Sequence, residues 1–305
     1  MRVELVAIGD INWDTVLVAP RIPASDEEVE VTEVWEAPGG DAANVAVAFA
    51  RLGGTAGMIG AVGTDTVAKL LWEHLVASGV DTSRVLTLEG PSGRAFSLVE
   101  PNGARRLFYT RGANALRKLE EDDLHYIEQA KWLYIADPLP HTLATLATWY
   151  YRKSKLPKLA LDPGSAGAAK GEDFFVPLFL YLSVLFLNEG EALMLSGRRT
   201  LEEAVERLTE ICPLVVIKRG ENGALLATSE GVLALPAFPV KTVDTTGCGD
   251  AFNAAFLLAL VRGKTLEEAG RWGNAAGALA AQRFGAYAPT FAELLQFLTP
   301  DKEVK

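Results

Sequence analysis

The segment from Val243 to Phe256 reads VDTTGCGDAFNAAF and limits what this chain can fold into more than any other stretch. Gly247 and Gly249 flank one small residue, and Asp250 follows directly before an apolar run. A run that is apolar on every side predicts a buried helix, so residues 247–250 should form its first turn. Glycines let a ligand approach the backbone, and the unpaired N–H groups and the helix dipole favour an anion.

Asp250 suggests what happens at this anion site. A carboxylate repels a resting phosphate, but it can take the proton from a hydroxyl that attacks phosphorus. Its reference pKa of about 3.9 and the helix N-terminus predict that it is ionised at neutral pH. The same residues also fit a glycine-rich turn whose acid only complements the helix dipole. The loop therefore indicates phosphoryl transfer, with a purely structural turn as the alternative.

Two motifs resemble those of a known family. DTTGCGDAF resembles the DTTGAGDxF signature of the ribokinase-like sugar kinases, the PfkB family, with Cys248 where alanine is usual. GGDAANVAVAFARLG, which begins at Gly39, is similar to the family pattern GGxxxNxAxAxARLG. The resemblance covers about Val3 to Phe297. It implies a ribokinase-like α/β fold, in which helices flank both faces of a mainly parallel sheet and a small β-sheet forms a lid, and an anion hole made by Gly247, Cys248 and Gly249.

Length and pattern agree with that fold. The 305 residues, 49% of them hydrophobic, suit one large α/β domain or two ordinary ones. After residue 130 strands and helices alternate, which predicts a parallel sheet with helices on both faces. The small sheet is predicted from Thr15 to Val18, Glu28 to Glu36, and a hairpin of Arg94 to Val99 and Arg105 to Tyr109 that turns at Pro101-Asn102-Gly103. We predict one domain over residues 1–300, with a lid at about 12–36 and 93–112 and a tail at 301–305.

Charge and cysteine content exclude several functions. The net charge of −10 argues against nucleic-acid and anionic-membrane partners. Cys212 and Cys248 lie in no zinc or redox spacing. The chain opens without the features of a signal peptide, and it lacks the ~18 continuous apolar residues of a membrane span. A cytoplasmic protein is expected.

The resemblance assigns the first signature to the acceptor. It implies that Gly39, Gly40 and Asn44 line a sugar pocket, and Asp41 stands where some ribose-specific members have lysine, which is evidence against ribose. Asp14 follows the first predicted strand, where a carboxylate can bind substrate hydroxyls or can simply be a solvated turn acid.

FYTRGAN supplies two further acceptor residues. Tyr109 and Arg111 resemble the YxR pattern of fructokinases and 2-keto-3-deoxygluconate kinases, whose arginine meets an anionic or hydroxylated end of the sugar. Those kinases commonly carry DPNxR where this chain has DPGSA from Asp162 to Ala166, so the second arginine is missing.

Further matches concern the nucleotide and its cations. NEGE resembles the family NxxE motif, which implies that Asn188 and Glu191 organise hydrated Mg²⁺, although these residues would also cap a helix. KRGENGA resembles the glycine turn beneath the nucleotide, formed by Lys218, Gly220 and Gly223, but it also fits an ordinary hairpin. Asn274 takes the position of a residue beside the base. The positions that bind potassium in many members correspond to Asp244, Thr246, Ala280, Arg283 and Gly285.

Together these features predict an ATP-dependent kinase that phosphorylates a hydroxyl of a small sugar or related polyol. One alternative is a nucleoside kinase of the same family, with Trp13, Trp35 and Phe108 as candidates to stack on a base. The other is a sugar-binding sensor that transfers nothing, but such a protein has no use for an acid at 250. We also expect a homodimer through the apolar lid residues Val29, Val31, Val34, Phe96, Leu98 and Phe108.

Overall fold

The computed structural model describes residues 3–100, 105–153 and 155–299. In these residues a nine-stranded sheet runs through the molecule in the order β13-β12-β11-β10-β9-β8-β1-β4-β5. The strands from β11 to β5 in that order pair in parallel, and β12 and β13 join antiparallel at one edge. Numbered in chain order, these strands are β1 (Leu5–Ile8), β4 (Ala56–Val62), β5 (Asp81–Thr87), β8 (Trp132–Ala136), β9 (Lys158–Asp162), β10 (Leu182–Asn188), β11 (Val215–Lys218), β12 (Ala224–Thr228) and β13 (Gly231–Leu235).

A second sheet of four strands has the order β3-β2-β6-β7. It consists of β2 (Asn12–Val18), β3 (Glu33–Gly39), β6 (Gly93–Val99) and β7 (Arg105–Thr110). β2 pairs in parallel with β6, and the other two pairings are antiparallel. We call this sheet the lid, because residues from one of its faces line the large cleft described below.

Helices cover both faces of the central sheet. They are α1 (Asp41–Arg51), α2 (Thr66–Ala77), α3 (Glu121–Ile127), α4 (Pro140–Arg152), α5 (Gly164–Ala168), α6 (Val176–Phe179), α7 (Glu189–Ser196), α8 (Leu201–Ile211), α9 (Cys248–Val261), α10 (Leu266–Ala281) and α11 (Phe291–Leu298). Buried residues of α1, α2, α9 and α10 form one core, and those of α4, α7 and α8 form the other. This is the ribokinase-like architecture that the sequence predicts.

The parallel strands place polar residues along one edge of the sheet. Asp10 and Asp137 follow β1 and β8, which are neighbours, and Asp162, Asn188 and Lys218 end the next three strands. From β1 the chain builds the sheet outward in both directions, so the order reverses between β1 and β8. Ligands of open α/β sheets bind at the carboxyl ends of strands near such a reversal.

The predicted strands differ from the observed ones in the central sheet and in the lid. β5 was missed, because its sequence DTSRVLT is polar and lies at the edge of the sheet, so it lacks the continuous apolar run of a central strand. The predicted strand Glu28 to Glu36 in fact begins at Glu33 and extends to Gly39, where the pairing with β2 ends. The predicted turn at 101–103 lies outside the described residues.

No helix in the described part of the chain is long and apolar enough to cross a membrane.

Candidate active site

The N-terminal turn of α9 forms the floor of the cleft. Gly247 caps the helix in the left-handed region, with φ of 72°, and a Cβ at this position would lie 2.6 Å from the Ala286 Cα. Only glycine fits there without strain. The helix itself is apolar on all sides and packs against α1 and α10. The first glycine of the motif is therefore fixed by backbone geometry, independently of any ligand.

Three backbone N–H groups at this turn are available to an anion. The N–H groups of Gly247, Gly249 and Asp250 have no hydrogen-bond partner among the described residues. The N–H of Cys248, in contrast, donates to the Thr245 carbonyl at 3.3 Å, so the predicted anion hole needs correction at this residue. Burial raises the pKa of the Cys248 thiol to about 12, so the thiol adds no negative charge.

Asp250 accepts a hydrogen bond from Asn44 of α1. The Asn44 Nδ2 lies 2.9 Å from the Asp250 Oδ2. Burial at the floor of the cleft raises the pKa of Asp250 to about 7, although the Asn44 hydrogen bond and Lys218 oppose this rise. The sequence-based expectation of an almost wholly ionised carboxylate is wrong, because desolvation outweighs the helix N-terminus. A carboxylate with this pKa is a better proton acceptor at neutral pH.

The first turn of α1 faces the same cleft. Gly40, with φ of 95°, caps this helix and leaves no room for a Cβ beside the Asp10 carbonyl. Asp41 makes no capping hydrogen bond, and its carboxylate is exposed to the cleft. The charge of Asp250, together with desolvation, raises the pKa of Asp41 well above its ordinary value. Both first turns thus bring an acid to the same space.

Arg111 is already paired at the acceptor end of the cleft. It donates to the Asp10 Oδ1 at 2.9 Å and forms a short ion pair with Asp137. Burial, reinforced by the charge of Asp137, raises the pKa of Asp10 to about 6, against the effect of Arg111. Asp137 has φ of 36°, which is unusual for a residue with a side chain. These two pairs leave Arg111 without an unpaired positive charge for an anionic end of a sugar, which is one of the two roles that the resemblance implied.

A polar network lies beneath the α9 turn. The Lys218 Nζ lies 2.8 Å from the Asp162 Oδ2, which also accepts from the Asn253 Nδ2 at 2.7 Å. Asn253 is fully buried one turn after Asp250, and it also donates to the Tyr134 hydroxyl. These contacts tie the ends of β9 and β11 to the helix that carries Asp250.

The NEGE residues form a capping box at the start of α7. Asn188 accepts from the Glu191 N–H, and Glu191 accepts from the Asn188 N–H, both at 2.8 Å. The Ser165 hydroxyl donates to the other Glu191 carboxylate oxygen at 3.1 Å. Glu191 is buried, and burial and Asp162 raise its pKa. Both carboxylate oxygens already accept a hydrogen bond, which suits a contact to a metal through water.

The predicted nucleotide residues lie along the wall beyond β11. Gly220 begins a short 3₁₀ turn and Gly223 follows it, and a Cβ on Gly223 would overlap the Leu235 carbonyl. Asn274 lines the cleft from α10, but its amide donates to the Pro236 carbonyl at 2.9 Å. Asn274 therefore holds the loop after β13 in place as well as facing the cleft.

The predicted potassium residues lie on the loop before α9, in the last turn of α10 and on the loop after α10. Asp244 accepts from both the backbone N–H and the hydroxyl of Thr246, and its other oxygen accepts from the Gly285 N–H at 2.9 Å. The Ala280 carbonyl accepts from the Arg283 N–H at 3.0 Å. Asp244 thus joins the loop before α9 to the loop after α10.

Strand alternation divides the predicted lid aromatics between two faces. Leu107 and Tyr109 line the cleft, so Phe108 between them lies on the outer face. Trp13 also points away from the cleft-lining Asp14, and it packs against the core. Trp35 contacts Phe284, with ring centroids 4.1 Å apart. Trp13 and Phe108 are therefore wrong as base-stacking candidates, and Trp35 is already in contact with another ring.

The whole cleft has a volume of about 1210 Å³ and is strongly acidic. Among the described residues that line it, Lys218 is the one lysine or arginine. The acidic lining residues are Asp10, Asp14, Asp41, Asp137, Asp162, Glu191, Glu221 and Asp250. This imbalance means that a polyphosphate needs a bound cation, and that the acceptor end does not favour an anion.

Sequence reasoning missed several residues of the site. Asp10, Asp137 and the buried Asn253 were not assigned, although each acid lies within two residues of the end of a buried parallel strand. That position was the available signal. The apolar run around Asn253 predicts that it is buried, but nothing in the sequence indicates that it meets Asp162 and Tyr134.

The strand ends of the parallel sheet face a glycine-rich helix N-terminus and an acid, beneath a β-sheet lid. This arrangement is that of a phosphotransferase with an alcohol acceptor. The chain belongs to the pfkB family of carbohydrate kinases, whose family model matches residues 3–292. It is 33% identical over 301 residues to the ATP-dependent ribose-1-phosphate kinase of Halopiger xanaduensis, covering 97% of this chain and 98% of that protein. Ribokinase from Thermotoga maritima superposes with a TM-score of 0.85 at 32% identity, over 97% of this chain and 99% of that one. The ribokinase of Arabidopsis thaliana complexed with ribose and ATP superposes with a TM-score of 0.84 at 27% identity, over 98% of this chain and 99% of that one.

Proposed function

We propose that this protein transfers the γ-phosphoryl group of ATP to a hydroxyl of an uncharged polyhydroxylated acceptor, with Asp250 as the base. The observation that carries this proposal is the first turn of α9, where a carboxylate with a raised pKa lies beside three unpartnered N–H groups. The family and the ATP-dependent relative support ATP as the donor. Because ATP and its acceptor meet inside the cell, we place the reaction in the cytoplasm.

The proposed reaction is an in-line displacement. The acceptor hydroxyl binds near Asp14, Gly40 and Asn44, and Asp250 takes its proton as the oxygen bonds to the γ-phosphorus. The bond from phosphorus to the bridging oxygen breaks and ADP leaves with that electron pair. The N–H groups of Gly247 and Gly249 and that of Asp250 stabilise the charge on the transferring group.

Magnesium fits the residues at β10 and α7. Glu191 and Asn188 would hold it through water, since both Glu191 oxygens already accept hydrogen bonds within the protein. Bound Mg²⁺ would neutralise phosphate charge in a cleft that has eight acids and one lysine. Gly220, Gly223 and Asn274 complete the proposed nucleotide wall.

We also propose a potassium ion at the loops that Asp244 connects. The residues at this position offer a carboxylate and backbone carbonyls, which are the hard oxygen ligands that alkali cations take. This loop pair leads directly into the α9 turn, so an ion there would fix the anion hole. Rubidium or potassium should therefore raise turnover relative to sodium or choline.

The acceptor end favours a neutral molecule. Asp10 and Asp137 already pair with Arg111, and Asp14 adds a further carboxylate. Carboxylates accept hydrogen bonds from sugar hydroxyls, whereas a sugar acid or sugar phosphate would meet like charge. The proposed substrate therefore differs from the ribose 1-phosphate of the Halopiger relative and is closer to a free pentose or polyol.

A nucleoside is the second candidate acceptor. Leu107 and Tyr109 are about half exposed on the cleft face of the lid, and such side chains can cover a base. Stacking would add roughly 0.5–1.5 kcal/mol. A Tyr109→Ala variant separates the two candidates, because it should raise the KM for a nucleoside much more than the KM for ribose.

The lid also supports the proposed homodimer. Its outer face carries Val34, Phe96 and Phe108, which are exposed, and Phe96 lies directly opposite Phe108 in the strand register. A four-stranded sheet with one face on the cleft needs cover for the other. Val29 and Val31 precede β3 and are not part of the sheet, so they contribute less than predicted.

The deciding experiment is an acceptor screen with Mg·ATP, read by ADP release. Free pentoses, hexoses, inositols and nucleosides are compared with gluconate and ribose 1-phosphate. Turnover of a neutral acceptor supports the proposal. Preference for an anionic acceptor, or ADP release with none, contradicts it.

A further inference from the structure

Lys218 lies directly beside the anion hole. A Cβ built on Gly249 would be 3.2 Å from the Lys218 Nζ, so the ammonium group packs against the Gly249 backbone. The Lys218 side chain is only 17% exposed. It is also the one cation in the described lining of an otherwise acidic cleft. The positive charge of Lys218 therefore lies beside the helix turn whose Gly249 and Asp250 N–H groups have no partner among the described residues.

The contacts of Lys218 leave it able to bind a ligand. An ammonium group has three donors, and the Lys218 ammonium makes one hydrogen bond among the described residues, to Asp162. Asp162 does not depend on that bond alone, because it also accepts from the Asn253 amide at 2.7 Å and from the Gly164 N–H at 3.1 Å. Lys218 can therefore turn toward a phosphate while Asp162 keeps its other partners.

The segments near the anion hole explain why a cation at the end of β11 would help to bind a phosphoryl group. The DPGSA segment carries no arginine at the end of β9, and Arg111 is held at the acceptor end by two carboxylates. Among the described residues that line the cleft, Lys218 is therefore the side chain that can oppose the negative charge of a transferring phosphoryl group. Such a cation contributes most when charge spreads over the equatorial oxygens.

We propose that Lys218 is a catalytic residue that contacts the γ-phosphoryl group during transfer, and that Asp162 is the positioning residue that holds it under Gly249. This inference rests on the proposed kinase function. It assigns Lys218 to the transferring group rather than to the turn beneath the nucleotide.

The test compares Lys218→Met with the parent in turnover and in calorimetric binding of ADP and ATP. Lys218→Met should lower kcat by about 10²- to 10³-fold, because a preorganised charge at the transition state is lost. ATP should bind about tenfold more weakly, because one charge-assisted contact is lost, and ADP should bind within twofold of the parent. Lys218→Arg should recover most of the ATP affinity.

Two further variants sharpen the test. Lys264→Met is the matched control: Lys264 is paired with Glu268 at 2.9 Å, follows the far end of α9, and its loss should change none of these values. Asp162→Asn should lower kcat by about tenfold while ATP affinity rises slightly, since the ammonium is freed but no longer oriented. A merely structural Asp162 would lower both.

Two outcomes would overturn the proposal: a Lys218→Met kcat within threefold of the parent, or equal losses of ADP and ATP affinity. If Lys218→Met does not fold, Lys218→Gln makes the same comparison while keeping a hydrogen bond to Asp162. The ADP and ATP affinities need no turnover, so this result is separable from failure of Asp250 as the base.

Discussion

The Asn44 Nδ2 donates to the Asp250 Oδ2 at 2.9 Å and joins the first turns of α1 and α9. These residues lie 206 positions apart in the chain. The contact orients the carboxylate that we propose as the base, and it connects the acceptor signature to the anion-hole signature. The Asn44 amide thus connects the proposed acceptor site to the proposed phosphate site.

The pH dependence of turnover tests this contact. Asp250 must be ionised to accept a proton, so kcat/KM should rise with pH through about 7 and level off above it. The Asn44 hydrogen bond lowers the pKa of Asp250, so in Asn44→Ala this limb should move to higher pH. Gln296→Ala removes an exposed amide on α11 and serves as the control. An unmoved limb in Asn44→Ala would show that the titrating group is not Asp250.

Asp250 should also make stability depend on pH. Its folded pKa of about 7 lies above the ordinary 3.8, so the folded protein binds this proton more tightly than the unfolded chain does. The free energy of unfolding therefore falls as pH rises between about 4 and 7. Asp250→Asn lacks this loss of stability. The Tm of the variant minus the Tm of the parent should therefore be larger at pH 8 than at pH 4.5. An identical difference at both pH values would argue against a raised pKa.

The Arg111 cluster predicts a second pH-dependent effect. Arg111→Met leaves Asp10 and Asp137 facing each other without their cation, which should cost about 3 kcal/mol of unfolding free energy at pH 8. At pH 4.5 the cost should shrink, because burial raises the pKa of both acids. Chemical denaturation at the two pH values measures the difference. If Arg111 instead served acidic substrates, the variant would keep its stability and lose only their turnover.

The outer face of the lid predicts the oligomeric state. Phe108 is 66% exposed there, and Phe108→Glu should convert a dimer to a monomer in sedimentation at micromolar concentration. Leu180→Glu is the control, since Leu180 is 92% exposed but lies outside the lid. A parent protein that sediments as a monomer, or a control that dissociates equally, would contradict a lid dimer.

The sequence predicted the fold well because its signals are local. Apolar runs marked the central strands, and Gly247 and Gly40 marked helix starts where only glycine fits. The polar edge strand β5 carried no such run and was missed. Motif resemblance brought Asn44 and Asp250 to one site, and the structure places them in contact.

Electrostatics could not be predicted from the chain alone. A helix N-terminus suggested an ionised Asp250, but the pKa depends on how deeply the side chain lies in a cleft lined by other acids. The resemblance suggested Arg111 as a ligand of the substrate, but nothing in the sequence indicated that Asp10 and Asp137 pair with it. The pKa of Asp250 and the pairing of Arg111 both depend on contacts between segments more than 20 residues apart. Spacing in the sequence does not encode such contacts.

The steady-state turnover of Asp250→Asn tests the central claim most directly. Asparagine keeps the size and one hydrogen-bonding oxygen of the side chain but removes its basicity, so kcat on the best acceptor should fall by about 10²- to 10⁴-fold. Calorimetric ATP affinity should stay the same or rise slightly, because a negative charge near the phosphates is gone. A fall in kcat of this size with ATP binding intact is the result that we predict. Turnover within threefold of the parent would show that the proton leaves by another route and would contradict the assignment of Asp250 as the base.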